Sequence, residues 1–167
     1  SNERKIRNSR TERMIENGHR VIGLARNISG LSFEGINCDV SDYKSVKNSV
    51  KKIKNIGEPI DAIINSAGIA SMNLAVTTNE DSVKKLINTN LNGTIYCCQL
   101  FAPILIRQKF GAFINFSTIA VSLSLKGESV YAASKAGVET FTKSFAREMA
   151  DFNIKVNCIA PGPIKTD

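Results

Sequence analysis

Short runs of β-branched and apolar residues alternate along the chain with longer stretches whose apolar positions recur every three or four residues. His19–Ala25 predicts a strand, and Gly18 closes the helix end before it (Met14–Asn17) at a position suited to a left-handed cap. Gly35–Cys38 predicts a second strand. Ser41 is the expected cap of a helix running to about Ile56, with Val46, Val50 and Ile53 on one face. Ile60–Asn65 is almost continuously apolar, the pattern of a parallel strand buried on both faces. A helical region from about Glu80 to Lys109 follows, with a kink expected at Pro103. Ala112–Phe116 predicts a strand, Val130 to Ala150 a helix, and Ile154–Ile159 a last strand. Strands alternating with helices imply right-handed βαβ units, and so a three-layer, doubly wound parallel α/β fold.

Composition narrows the class. The chain has 167 residues, 43% hydrophobic and 22% charged, as expected of one soluble globular domain able to bury a core. No apolar run approaches a membrane span, and Ser1–Arg10 is too polar for a signal peptide, so no membrane partner is expected. The four cysteines (Cys38, Cys97, Cys98, Cys158) lack metal-ligand spacing, which points to free thiols in a reducing cytoplasm and to no metal site. A net charge of +7 suits nucleotides, nucleic acid or an acidic carrier protein as partners, or simply a lysine-rich solvated surface. Lys44, Lys47, Lys51, Lys52 and Lys54 share one predicted helix without interleaved aromatics, which argues against nucleic acid. His19 reads as a surface residue, and Cys97 and Cys98 as core.

The candidate chemistry begins with Tyr131 and Lys135, four apart on one helix, so that both side chains can act at one point. A free tyrosine, with a pKa of about 10, stays protonated at neutral pH, and a nearby cation eases loss of its proton. Such pairs are common on helix surfaces, and three further features give this one weight. Asn65-Ser66-Ala67-Gly68 ends an apolar strand with small residues, which lets a flat ligand approach the backbone at the edge where open α/β sheets bind ligands. Asn115-Phe116-Ser117-Thr118 sets hydroxyls at the end of the next strand. Ala160-Pro161-Gly162-Pro163-Ile164-Lys165-Thr166 leaves the last strand as a stiff turn at the same rim.

With Asn90-Leu91-Asn92-Gly93-Thr94 added, these segments in this order resemble the short-chain dehydrogenases/reductases, over about Gly18 to Asp167. Within that family the chain is most similar to bacterial 3-oxoacyl-[acyl-carrier-protein] reductases and their relatives. The resemblance implies a Rossmann-like, dinucleotide-binding and catalytic domain across residues 1–167. It implies an NAD(P)-dependent oxidoreductase that reduces a carbonyl to a hydroxyl. Tyr131 would give its proton to the substrate oxygen, Lys135 would bind the nicotinamide ribose and lower the tyrosine pKa, and Asn90 would hold a water behind the lysine. A hydroxyl from Ser117 or Thr118 would bind the substrate carbonyl; the family's spacing falls on Thr118, with Ser117 the alternative. Asp39 and Val40 would contact adenine, Asn65, Ala67 and Gly68 the adenosine side, and Pro161, Gly162, Ile164 and Thr166 the nicotinamide side. Arg26, just past a strand end, suits the 2′-phosphate of NADP, with NAD the alternative cofactor. The expected substrate is a small molecule or an acyl group on acyl-carrier protein, in cytoplasmic fatty acid synthesis. Another small alcohol, ketone or sugar, or a non-catalytic dinucleotide-binding role, stands as the alternative. The faces Leu100, Phe101, Ile104, Leu105 and Val138, Phe141, Phe145 suit either a homotetramer or dimer, or the core.

The family opens with a strand and a glycine-rich turn that cradles pyrophosphate, and Ser1–Thr11 does not supply it. That strand is central, so its loss would leave backbone groups unpaired at about 1–3 kcal/mol each. The expectation is therefore that this segment belongs to the protein, with a junction between Ile6 and Met14, and that substrate-covering helices and a last strand follow Asp167.

Overall fold

The structure, a computed structural model, describes residues 11–162. They fall into two compact units, one through Asp39 and one of Val40–Gly162.

In the first unit, residues 11–16 form helix α1. Gly18 ends it at φ 84°, its N–H bonded to the Ile15 carbonyl at 2.9 Å and that of His19 to Met14 at 3.1 Å. This left-handed cap is the one the sequence predicts. Strands β1 (Gly23–Ala25) and β2 (Gly35–Asn37) pair in parallel, Gly23 opposite Gly35. β1 is shorter than the predicted His19–Ala25 because its partner is three residues long; the pairing begins where the Gly23 N–H meets the Glu34 carbonyl at 2.8 Å. Arg20 lies ahead of the pairing and forms a 2.8 Å ion pair with Glu34.

The second unit holds β3 (Ala62–Asn65), β4 (Ala112–Phe116) and β5 (Lys155–Ile159), parallel in that order. Helix α2 (Tyr43–Ile56) is capped by Asp42, whose side chain accepts the Lys44 N–H at 2.9 Å, one residue beyond the expected Ser41. Asp42 takes the position because its carboxylate reaches an amide of the first turn. Helix α3 (Glu80–Leu86) runs through a π-helical turn (Ile87–Asn92) into α4 (Gly93–Gln108). The irregularity expected at Pro103 therefore falls at that turn instead. Pro103 lies within α4 on its exposed side, as does Gln99 one turn back, where water can take the carbonyl that proline leaves unbonded. Helices α5 (Ala120–Leu123) and α6 (Ser129–Ala150) complete the unit.

The core is Val46 of α2, Leu86 of α3, Phe101 and Leu105 of α4, Phe113 of β4, and Val138 and Phe145 of α6. Phe145 packs edge-on to Phe113 and stacks on Phe141, at centroid distances of 5.4 and 5.2 Å. Phe101, Leu105, Val138 and Phe145 thus take the core alternative, whereas Leu100, Ile104 and Phe141 are half-buried. β3 departs from expectation. The Ile60–Asn65 run predicts burial on both faces, yet Ala62 and Ile64 are exposed, Ile64 by 40%. Among the described residues β3 pairs only with β4, so one edge has no ladder partner.

Candidate active site

Because β3, β4 and β5 are parallel and in register, their C-terminal ends share one edge, and Asn65, Asn115 and Cys158 stand in one row. Just inside that edge runs a buried polar chain. Asn65 Nδ2 donates to Asn115 Oδ1 at 2.8 Å, Asn115 Nδ2 to Thr142 Oγ1 at 2.9 Å, and Thr142 Oγ1 to the Val138 carbonyl at 2.7 Å. The Cys98 thiol touches both asparagines, and burial outweighs those contacts, pushing it up to about 12, so it stays protonated. The side chain of Asn65 thus faces inward to Asn115, and its backbone is the part at the ligand edge.

The π-turn carries Asn90, fully buried, into a second cluster. Its Oδ1 accepts the Ile69 N–H at 2.8 Å, while its Nδ2 donates to the Ile69 carbonyl at 2.9 Å and to Ser134 Oγ at 3.0 Å. Ser134 Oγ in turn donates to the Tyr131 carbonyl at 2.7 Å. One side chain therefore ties the loop after β3 to the first turns of α6. The wide π-turn aims it there, as such turns do at functional sites. Between loop and helix lies Gly68: a Cβ on it would stand 3.3 Å from both Asn90 Oδ1 and Lys135 Nζ. The loop backbone thus lies close against the lysine and Asn90, with little room for a side chain at this position.

Lys135 is only 6% exposed, and its Nζ donates to the Phe116 carbonyl at 2.8 Å. Burial holds its pKa below the ordinary lysine range, with the Cys158 thiol acting weakly the other way. Tyr131 lies one turn earlier on α6, half-buried. The two expected hydroxyls differ in surroundings. Ser117 is buried: its N–H bonds the Ile159 carbonyl at 2.8 Å and its Oγ donates to Glu139 Oε1, with the Lys135 carbonyl 3.4 Å away. Thr118 is half-buried, and its Oγ1 accepts the Ala120 N–H at 3.2 Å, opening α5. Pro161 docks beside it through a 3.2 Å bond from the Ile119 N–H, and a Cβ on Gly162 would meet Ile119 at 3.7 Å. The exits of β4 and β5 are thereby joined.

Asn90, Ser117, Lys135, Gly68 and Ala67 thus lie with Tyr131, Thr118, Pro161 and Gly162 in one unit. Val40 also lies there, against the start of α4, where a Cβ on Gly93 would come within 2.8 Å of it. Arg26 and Asp39 belong to the other unit. Arg26 is exposed just past β1, its carbonyl accepting from Asn37 Nδ2 at 2.7 Å; Asp39 follows β2. Ile164 and Thr166 lie outside the described residues. Sequence reasoning missed Ser134, Asn115 and Glu139 as members of the site. Asn115 had a signal: Ala62-Ile-Ile-Asn65 and Ala112-Phe-Ile-Asn115 are the same pattern, and in-register parallel pairing sets their asparagines side by side. A cavity of about 670 Å³ opens between α6 and β5, lined by Glu139, Thr142, Lys143, Arg147, Asn157 and Cys158. Among the described residues no cluster fit for a metal occurs, and no helix is long and apolar enough to cross a membrane.

The profile of the short chain dehydrogenase family matches residues 5–167. The chain is 39% identical over 153 residues to 3-oxoacyl-[acyl-carrier-protein] reductase FabG of Chlamydia pneumoniae, an alignment covering 91% of this chain and 61% of that protein. Among solved structures it resembles a short-chain dehydrogenase from Streptomyces avermitilis, with TM-score 0.89 and 26% identity over 94% of this chain and 61% of the other. It also resembles ElxO with NADP bound, with TM-score 0.86 and 30% identity over 94% of this chain and 68% of the other. The α/β fold with parallel sheets is of the Rossmann-like kind these structures share, and the chain, spanning about 61% of the length of its reductase relative, belongs to the short-chain dehydrogenase family.

Proposed function

We propose that the protein reduces a carbonyl to a hydroxyl using NADPH, with a 3-oxoacyl thioester on acyl-carrier protein as substrate. The observation that carries this reading is the meeting of Gly68, Asn90 and Lys135, where loop backbone lies against a buried ammonium one turn from Tyr131. The fit to a dinucleotide is physical. A glycine backbone admits a flat ring, and an ammonium with one of three protons committed to Phe116 can donate the others to ribose hydroxyls. Lys135, Gly68, Ala67, Pro161 and Gly162 would hold the cofactor; the contacts expected of Ile164 and Thr166 fall outside the described residues, and Arg26 and Asp39 belong to the other unit. NADPH, when bound, supplies the hydride.

The chain's own residues do the rest. Thr118 orients the substrate carbonyl, since its hydroxyl proton is free to point outward while its oxygen accepts from Ala120; Ser117 is engaged with Glu139. Tyr131 gives its phenolic proton to the developing alkoxide, and the Lys135 ammonium one turn on favours the phenolate that remains. Asn90 holds the loop and Ser134 so that these groups keep their spacing. NADP is favoured by Arg26 and by the similarity to ElxO, which binds it; a carrier-bound acyl group is favoured by the similarity to the Chlamydia reductase and by the +7 charge. On this reading the enzyme works in the cytoplasm, as a homo-oligomer, in fatty acid synthesis.

The test is NADPH oxidation with acetoacetyl thioesters. We expect turnover that Tyr131→Phe lowers roughly 10²- to 10⁴-fold while NADPH binding persists. Tight NADPH binding with no turnover of any carbonyl would instead leave a non-catalytic dinucleotide-binding protein.

A further inference from the structure

Three consecutive residues at the end of β4 face three different duties. The Phe116 carbonyl takes the Lys135 ammonium, and Thr118 offers the hydroxyl assigned above to the substrate. Ser117, between them, is locked to the neighbouring strand by its N–H and to α6 by its hydroxyl. That hydroxyl has a single proton and two acceptors within reach, and the Glu139 carboxylate has the shorter contact, the Lys135 carbonyl standing at 3.4 Å. A charge-assisted O–H···O bond of this kind is directional and strong for its size. Glu139 lies one turn after Lys135 on α6, so its grip on Ser117 fixes the height of that turn above Phe116 and Thr118. Around Glu139 are Cys158 of β5, on which its charge acts, and Lys143 one turn on, while Lys135 one turn back sends its ammonium to the Phe116 carbonyl. Nothing in the chemistry assigned to Tyr131, Lys135, Thr118 and Asn90 accounts for a carboxylate here.

We propose that Glu139 is a positioning residue: acting through Ser117, it sets the register between the end of β4 and the turn of α6 that carries Lys135. Its catalytic consequence rests on the reductase reading; its structural consequence does not. Without an acceptor at residue 139, the Ser117 hydroxyl turns to the Lys135 carbonyl and the helix turn is free to shift. A displacement of the order of 1 Å at a reacting group can cost about 10²-fold in rate.

The experiment compares wild type with Glu139→Leu, Glu139→Gln and Ser117→Ala in two readouts. In carbonyl reduction we expect Glu139→Leu to lower kcat roughly 10- to 100-fold with KM for NADPH changed by less than about threefold, and Glu139→Gln, which keeps an acceptor, to restore most of the loss. Independently of turnover, the Nζ resonance of Lys135 in 15N-lysine-labelled protein, assigned through its loss in Lys135→Arg, reports the ammonium's seat. It should move, and titrate nearer a solvated lysine, in Glu139→Leu and Ser117→Ala but not in Glu139→Gln. A folded Glu139→Leu protein whose Lys135 resonance and titration match wild type overturns the proposal. Wild type without turnover would remove the reductase reading and leave this one to be decided by the resonance. Should Glu139→Leu not fold, Ser117→Ala removes the same bond with almost no change in volume and decides alone.

Discussion

Burying the Lys135 ammonium against one carbonyl penalises its charged form, which is why its pKa lies below the usual lysine value. The sign of the resulting effect on stability is fixed. Below the folded pKa both states carry the proton and the fold bears the full penalty. Between that pKa and the unfolded value of about 10.4 the unfolded chain holds more protons, so this group makes the fold more stable as pH rises. Lys135→Met should therefore abolish turnover without lowering Tm at neutral pH, and the wild-type advantage gained between neutral pH and about 10.4 should be missing from its Tm-versus-pH curve. A drop in Tm at pH 7 would contradict this. Asn115 is the opposite case, a buried group whose value is structural. Asn115→Ala leaves Asn65 Nδ2 with only the weak Cys98 thiol and strips Thr142 of its donor, and should cost about 1–3 kcal/mol in urea unfolding. At this scale spacing singled out Tyr131 and Lys135 as candidates, and the small residues after an apolar run singled out Gly68. The sequence did not separate Ser117 from Thr118, because what occupies the Ser117 hydroxyl is Glu139, 22 residues away and outside any local pattern.

At the scale of elements, α2 depends on its ends as much as on its apolar face. Asp42 covers an amide of the first turn and Gly57 leaves the last one at φ 79°. Asp42→Ala should cost about 1 kcal/mol, read as a shift in the thermal midpoint. Among the described residues the types of the long elements were legible from β-branched runs and helical periodicity, whereas the one-turn helix α5 was not foreseen. Boundaries were less legible, for reasons that lie outside each element. β1 is cut to three residues by the length of β2, and β3 starts at Ala62, two residues after the apolar run begins, because ladder pairing with β4 begins there. The break in the long helix is invisible to periodicity. Pro103 is the conspicuous residue, but the π-turn forms where Asn90 pairs with Ile69, and tertiary bonds decide its place.

For the molecule as a whole, alternating strands and helices sufficed to assign a parallel α/β fold, and the order of the motifs along the chain sufficed to suggest the family. The grouping of the strands into ladders of two and three was not legible from any single segment. An apolar strand reads the same whether one or both of its edges are paired.

The π-turn also bears on how this chain can vary. A π-turn holds one residue more than the α-helix it interrupts, so its geometry is a matter of length rather than of side-chain identity. Removing one residue between Ile87 and Asn92 would let α3 and α4 run on as one regular helix. The flanking helices would keep about their present facing, because the wide turn takes up the extra residue locally, but the bulge that carries Asn90 to Ile69 would be gone. Asn90 apart, the site can accept changed letters in this turn more readily than a changed count, and variation among functional relatives should take the form of substitutions here and of insertions and deletions elsewhere.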